Sequence, residues 1–308
     1  MRSLEILAGG LAGACLPVPP PGDGVCRMCH GDVDAVVART GGPGPAGPRC
    51  GACRAVAALL GRPPVTVTPV SLTTTGSRLH RVLASYKARH PGAGGDARRL
   101  AGLVEAFARL HLACVAPRGV DAVLVVPSLG GRRPPPHPFH GVLGRVAALP
   151  ALLDCLVPGP GTVDGRRAAL DAVACTRSLA GLRVLVADDT YASGAHLQSA
   201  AAAATAAGAI VVGGLVVGRF VRARRASGEA LLAQARARVW DPASCARCAG
   251  PPGHGNRSEE GDRGPARALP RHGSPRRARV VLAPRGMGMG IGGPAPHEPA
   301  SEPRPPEG

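Results

Sequence analysis

Three short apolar runs constrain the fold of this chain more than any other feature. They lie within residues 121–127, 183–189 and 210–218 and are rich in valine and leucine. Such runs are typical of strands that are buried on both faces, as in a parallel sheet. Residues 65–72 alternate between β-branched and polar side chains and predict a further strand. Because helical spacing occurs between the runs, the sequence predicts an α/β fold with a parallel sheet.

The predicted helices also indicate where a ligand would bind. They cover residues 78–89, 97–114, 140–153 with a break at Pro150, and 195–207. In open parallel sheets, ligands bind beyond the carboxyl ends of the strands. The residues that follow Val126, Ala187 and Val217 are therefore the first candidates for functional groups.

Composition narrows the classes of partner. The 308 residues include only three Phe, two Tyr and one Trp, so Val, Leu and Ala must form the core. This scarcity argues against proteins that stack bases on aromatic platforms. The formal net charge of +17 favours polyanions, but the abundance of Arg, Gly and Pro is also typical of a GC-rich genome. Nucleic acid is therefore only a weakly supported candidate partner.

The chain divides by composition into three regions. Residues 1–64 contain an apolar segment at 4–16, predicted to be a short helix, and a four-cysteine module. Residues 65–248 carry the α/β periodicity. Residues 249–308 are rich in Pro, Gly and Arg with few apolar residues to bury, which predicts a disordered tail.

One uncharged stretch, residues 200–218, is long enough to be considered as a membrane span. Gly208 divides it into an alanine-rich half and a valine-rich half. This pattern favours a helix, a glycine stop and a buried strand. We therefore expect no membrane association and a cytoplasmic protein.

Six of the ten cysteines occur in Cys-x-x-Cys pairs, a spacing typical of metal binding in a reducing compartment. Two pairs, twenty residues apart, can supply the four thiolates of a tetrahedral structural zinc site. The four residues are Cys26, Cys29, Cys50 and Cys53. Free thiols or a redox pair are the alternatives.

The third pair, Cys245 and Cys248, leaves several interpretations open. It can exchange with ligands of the first site, join the other four in one cluster, bind a second zinc ion with histidines, or bind nothing. The remaining cysteines lie among apolar residues and are expected to be ordinary buried side chains. They are Cys15, Cys114, Cys155 and Cys175.

The apolar run at 183–189 ends in two carboxylates, Asp188 and Asp189, which precede a short loop and a predicted helix. The free N–H groups and positive dipole end of a helix N-terminus bind phosphate. Gly194 allows close backbone approach, and a hydroxyl such as that of Ser193 adds a donor. The carboxylates would repel a phosphate unless they bind sugar hydroxyls or a divalent cation. A ligand with a phosphate next to a ribose supplies both an anion for the helix start and hydroxyls for the carboxylates. The alternative is that the acids merely cap a helix after a Rossmann-like strand.

Residues 184–197 resemble the fingerprint of the type I phosphoribosyltransferase family: four apolar residues, two acids and a loop that ends near Thr/Ser-Gly. The resemblance implies that Asp188 and Asp189 are catalytic residues that bind the ribose hydroxyls of phosphoribosyl pyrophosphate, with Mg²⁺. It also implies that the loop binds the 5′-phosphate. The loop residues are Thr190, Tyr191, Ala192, Ser193, Gly194 and Ala195. The sequence departs from the fingerprint at Thr190, Ala192 and His196.

A second loop follows the run at 121–127. It carries Ser128, Gly130, Gly131, Arg132 and Arg133. Small residues and paired guanidinium groups suit a diphosphate, although a solvated basic turn is the alternative. In the family that the chain resembles, a pyrophosphate-binding loop occupies this place, which implies catalytic roles for Arg132 and Arg133. The glycine-rich segment 157–176 has the position of that family's mobile lid.

A four-cysteine module before such a domain resembles the zinc-ribbon-containing competence protein F family. The resemblance covers residues 1–248 and includes Tyr86 and Lys87, the chain's single lysine. It implies transfer of a phosphoribosyl group to a nitrogen acceptor, an unknown base or amine, with release of pyrophosphate, and a homodimer as a candidate assembly. The alternative is a non-catalytic nucleotide-binding protein, or a DNA-uptake accessory protein that uses the zinc ribbon and basic surface.

Overall fold

The computed structural model describes residues 10–34, 48–88, 90–129, 136–161 and 167–248. All of them belong to one unit of the chain, Met1–Asn256. The tail at 249–308 and the loop residues 130–133 lie outside the described ranges.

The described helices and strands alternate along most of the chain. The helices are α1 (Gly51–Leu60), α2 (Arg78–Ser85), α3 (Ala93–Val115), α4 (Pro138–Leu143), α5 (Ala195–Ala206) and α6 (Ala226–Arg236). The strands are β1 (Val67–Thr73), β2 (Ala122–Val125), β3 (Leu152–Leu153), β4 (Leu156–Pro158), β5 (Val173–Cys175), β6 (Arg183–Tyr191) and β7 (Ile210–Phe220).

The main sheet has five strands in the order β1-β7-β6-β2-β3, and each neighbouring pair is parallel. Side chains alternate between its faces, as they must along a strand. On β6, Leu185 and Ala187 pack in the cluster that includes α2, α3 and α4, while Val184 and Val186 pack against α5 on the other face. Burial on both faces explains the continuous apolar runs. The prediction of an α/β fold with a parallel sheet is confirmed.

One predicted element differs from the structure. The helix expected at 140–153, with its break at Pro150, is only the short α4, because the chain turns at Gly144 before it reaches β3. Of the apolar segment 4–16, predicted to be a short helix, residues 4–9 lie outside the described part of the chain, and the described remainder includes a single 3₁₀ turn at Ala12–Ala14. The segment 157–176 includes most of β4 and all of β5, which pair in an antiparallel manner, and its role as a lid stays a prediction.

The stretch at 200–218 divides as predicted. Helix α5 ends just before Gly208, whose φ of 93° is a left-handed conformation that favours glycine, and β7 begins at Ile210. The small side chains of α5 allow it to lie close against the sheet, and Ala200 and Ala204 are fully buried. No helix among the described residues is long and apolar enough to cross a membrane.

Candidate active site and zinc centre

The two adjacent carboxylates, Asp188 and Asp189, lie near the carboxyl end of β6, where the neighbouring strand β2 also ends. Since successive side chains on a strand point to opposite faces, the two acids face different surroundings. Asp188 is half-buried on the α5 side, and Asp189 is only 2% exposed on the α2 side. The pair therefore provides two distinct carboxylates rather than one bidentate group.

Asp189 forms a largely buried ion pair. Lys87 Nζ lies 2.5 Å from its Oδ2, and the hydroxyl of Tyr86 donates a hydrogen bond to the same oxygen. Tyr86 and Lys87 come directly after helix α2, whose N-cap is Ser77. A buried carboxylate is costly unless it is paired, so this contact fixes Asp189 and ties the end of α2 to β6.

Asp188 has a different electrostatic environment. Burial, and then the negative charge of Asp189, raise its pKa to about 8, although Lys87 opposes the shift. The backbone N–H of Asp189 donates a hydrogen bond to Asp188 Oδ1 at 2.8 Å. A carboxyl group in this state gains from a divalent cation or hydroxyl donors, which favour its ionised form.

Two cavities adjoin Asp188. One, of about 200 Å³, is lined by Asp188 and by residues 190–197, which form the end of β6, the loop and the start of α5. The other, of about 250 Å³, lies between β6 and the loop after β2 and includes Lys87, Ser128 and His137. Asp188, Thr190 and His196 line both cavities. Together the cavities form a cleft with a helix N-terminus at one end and a lysine at the other.

The loop between β6 and α5 depends on Gly194. Its φ of 85° is left-handed, and a Cβ there would lie 2.1 Å from the Tyr191 hydroxyl. Tyr191 itself is buried, and its hydroxyl lies 3.4 Å from Gln198 Nε2. Tyr191 can therefore contribute only its backbone to a ligand. The N-cap residue Gly194 has no side chain to cap α5, although the N–H of Ala195 donates to Ser193 Oγ at 3.4 Å.

His196 was missing from the sequence-predicted site except as a departure from the fingerprint. It lies in the first turn of α5 and lines both cavities. Burial, and then the positive charge of Lys87, lower its pKa below the ordinary value of 6.5. The imidazole is therefore neutral at pH 7.

The loop after β2 is only partly described. Ser128 lines the cavity beside Asp188. The other predicted members, Gly130, Gly131, Arg132 and Arg133, lie in the part of the chain that the structure does not describe. Their predicted role in pyrophosphate binding stays a prediction.

The first four predicted zinc ligands come together as one buried cluster. Their sulfur atoms all lie within 4.8 Å of one another: Cys26, Cys29, Cys50 and Cys53. The Sγ atoms of Cys29 and Cys50 are 3.7 Å apart, close to the roughly 3.8 Å expected between thiolates of a tetrahedral zinc site with Zn–S bonds of about 2.3 Å. The backbone N–H of Cys50 donates to Cys26 Sγ at 3.3 Å, which stabilises a thiolate. The cluster fits a structural zinc ion.

A buried arginine connects this cluster to the loop after β6. Arg219, on β7, donates from Nε to the carbonyl oxygen of Cys29 and from Nη1 to those of Tyr191 and Ala192, each at 3.1 Å. A Cβ at Gly31 would lie 2.0 Å from the guanidinium group. Arg219 was not among the predicted site residues, although it follows Val217 near one of the strand ends expected to carry functional groups.

The third cysteine pair forms a separate cluster. Cys245 and Cys248 lie with His111 and Cys114, and their ligand atoms are also within 4.8 Å of one another. Cys114 is half-buried and belongs to this group, so the prediction of an ordinary buried cysteine is wrong at this position. Cys175 is likewise half-buried, whereas Cys15 and Cys155 are buried as expected.

No protein-family model matches the chain, and no curated protein matches it. Its function must therefore be inferred from the site: a cleft with one half-buried carboxylate, one ion-paired carboxylate and a helix N-terminus, next to a cysteine cluster that can hold zinc.

Proposed function

We propose that this chain is a type I phosphoribosyltransferase-like protein that binds phosphoribosyl pyrophosphate with Mg²⁺. In this proposal its sheet is the type I phosphoribosyltransferase fold and its four-cysteine cluster belongs to a small zinc-ribbon module. The observation that carries the proposal is the meeting of Asp188, at the end of β6, with the Gly194-led start of α5 around one cleft.

The 5′-phosphate is assigned to the loop and the first turn of α5. The N–H groups at a helix start and its dipole favour an anion, and the N-cap residue of this helix, Gly194, has no side chain to compete with one. Thr190 and Ser193, which both carry hydroxyl groups, line the same cavity of about 200 Å³. Gly194 permits a loop conformation that a larger residue would strain.

The ribose hydroxyls are assigned to Asp188 rather than shared equally between the two acids. Asp189 is engaged by Lys87 and by Tyr86, whereas Asp188 lines both cavities. Mg²⁺, when bound, would neutralise charge on the pyrophosphate group and favour the ionised form of Asp188. Lys87 lines the cavity beside Ser128, so its positive charge supports the pyrophosphate end of the substrate.

The proposed reaction is displacement at the anomeric carbon. The lone pair of a nitrogen acceptor forms a bond to C1′ while the C1′–O bond breaks, and that bond's electron pair leaves with pyrophosphate. His196, neutral at pH 7 and within the cleft, can accept the proton that the acceptor nitrogen loses. The protein contributes by positioning and by electrostatic stabilisation, to which Arg132 and Arg133 are also assigned.

Calorimetric titration tests the binding step. Phosphoribosyl pyrophosphate with Mg²⁺ should bind the zinc-loaded protein saturably and one to one. Asp188→Asn should weaken this binding at least about tenfold, since it removes a charge-assisted contact. Asp154→Asn is the matched control, because Asp154 is an exposed acid that lines neither cavity and should bind as wild type does.

Three results distinguish the alternatives. Binding followed by pyrophosphate release with a panel of amines and bases supports an enzyme. Binding without release under any acceptor supports a non-catalytic phosphoribosyl-binding protein. Absence of binding by the folded, zinc-loaded protein, with steeply salt-dependent binding of DNA instead, would contradict the proposal and support a nucleic-acid partner.

A further inference from the structure

The four residues of the second cluster come from two distant parts of the chain. His111 and Cys114 are three residues apart on α3 and therefore share one helix face. Cys245 and Cys248 belong to the segment 237–248 that follows α6. The fold thus brings two pairs of metal-binding side chains together across more than half of the α/β region.

The distances within the cluster match a tetrahedral site. His111 Nδ1 lies 3.6 Å from Cys248 Sγ and 3.9 Å from Cys114 Sγ. With Zn–N near 2.0 Å and Zn–S near 2.3 Å, ligand atoms on a tetrahedron are separated by about 3.5–3.8 Å. The Sγ atoms of Cys245 and Cys248 are 3.2 Å apart, well beyond a disulfide bond. Small shifts would centre a metal ion among the four.

The histidine ring is oriented for metal binding by its second nitrogen. His111 Nε2 lies 2.8 Å from the carbonyl oxygen of Pro242, which can only accept a hydrogen bond. The ring proton is therefore on Nε2, and the lone pair of Nδ1 points to the sulfur atoms. Phe107 packs at 4.9 Å from the ring and restricts its rotation. Such carbonyl partners of the distal nitrogen are a recurring feature of metal-binding histidines.

We propose that His111, Cys114, Cys245 and Cys248 bind a second structural Zn²⁺ ion, independent of the first cluster. Three thiolates and one imidazole are a donor set typical of structural zinc. The ion would clamp the segment 237–248 to α3. That segment contains no helix or strand. Its other attachments include the buried Trp240, whose Nε1 donates to the Val70 carbonyl oxygen at 3.0 Å, and a hydrogen bond of 2.8 Å from Arg247 Nε to Thr68 Oγ1.

Native cysteine alkylation followed by mass spectrometry tests this site in the wild-type protein. Cys248 is exposed, so an unliganded thiol there should react readily. In the zinc-loaded protein we expect it to react at least about tenfold more slowly than Cys175, a half-buried cysteine outside both clusters. Equal rates, while Cys26 stays protected, would overturn the proposal, as would a disulfide between Cys245 and Cys248.

Metal stoichiometry provides the second test. The variant Cys245→Ser/Cys248→Ser should lose about half of the bound zinc, because one of two sites is removed. The matched control Cys155→Ser/Cys175→Ser removes two thiols outside both clusters and should retain it all. Zinc-edge X-ray absorption should show sulfur and nitrogen donors in the wild type but sulfur alone in the cluster variant. Equal zinc content in wild type and cluster variant, or an all-sulfur spectrum in both, would contradict the second site.

Discussion

Replacement of Lys87 by methionine should destabilise the protein much more than replacement of a surface cation. The change retains most of the side-chain volume but leaves the Asp189 carboxylate, 3% exposed, without its cation. Removal of one partner of a buried pair costs about 3–5 kcal/mol. Because Tyr86 still donates to Asp189 and the Lys87 side chain is 19% exposed, we expect the lower end, about 3 kcal/mol.

Urea denaturation measures this cost with a built-in probe. Trp240 is the single tryptophan and is buried, so its fluorescence reports unfolding. With an m-value of about 3 kcal/mol/M, the midpoint should fall by roughly 1 M. Arg99→Met is the matched control, because Arg99 pairs with Asp96 but is 54% exposed, and should cost at most about 1 kcal/mol.

A double-mutant cycle separates charge from packing. Asp189→Asn keeps an acceptor for Tyr86 and leaves Lys87 able to reach water, so it should cost less than Lys87→Met. The double variant should then be more stable than Lys87→Met alone. Equal losses from Lys87→Met and Arg99→Met, or a double variant as unstable as the sum of the two, would refute the account of a buried ion pair.

Three further predictions concern the site. Because the pKa of Asp188 is raised from 3.8 to about 8, the folded state binds the Asp188 proton more tightly than the unfolded state does. The free energy of unfolding, measured by urea midpoints, should therefore fall as pH rises from about 4 to about 8, and Asp188→Asn should lack this decline. Gly194→Ala should lose about 1–3 kcal/mol of stability and most phosphate binding, because its Cβ would clash with Tyr191. Arg219→Met should leave the carbonyl oxygens of Cys29 and Tyr191 without their donor, and should lower both zinc retention under chelator challenge and substrate affinity.

The parallel sheet could be predicted because its cause is local in the sequence. A strand that is buried on both faces requires a continuous apolar run, and the run at 183–189 indicates such a strand. Helix α4 shows the limit of the same reasoning. Its apolar spacing continues beyond Leu143, but Gly144 and the downstream Pro150 favour turns, so periodicity alone overstates the helix.

The candidate site was predictable only where its residues adjoin in sequence. The acids and the loop after β6 form one continuous stretch, as do the paired cysteines of the first cluster. The contact between Lys87 and Asp189 joins residues about a hundred positions apart, and no local sequence pattern specifies it. Lys87 was notable in the sequence mainly because it is the chain's single lysine. Without that contact, the sequence could not show that Asp189 is ion-paired while Asp188 faces the cleft.

The second cluster was partly concealed by helical patterning. His111 and Cys114 lie within the apolar periodicity of α3, where both residue types are common core side chains. Their partnership with Cys245 and Cys248 depends on how the segment after α6 returns to α3. Sequence spacing identified the Cys-x-x-Cys pair but contained no signal for its partners.

A crystal structure of the protein with phosphoribosyl pyrophosphate and Mg²⁺ tests the central claim most directly. The 5′-phosphate should lie within hydrogen-bond distance of backbone N–H groups between Ala192 and Ala195. The ribose hydroxyls, or the cation that they bind, should contact Asp188, with the pyrophosphate on the side of Lys87 and Ser128. Ligand density elsewhere, with the cleft at the start of α5 empty, would contradict the assignment of this site to a phosphoribosyl group.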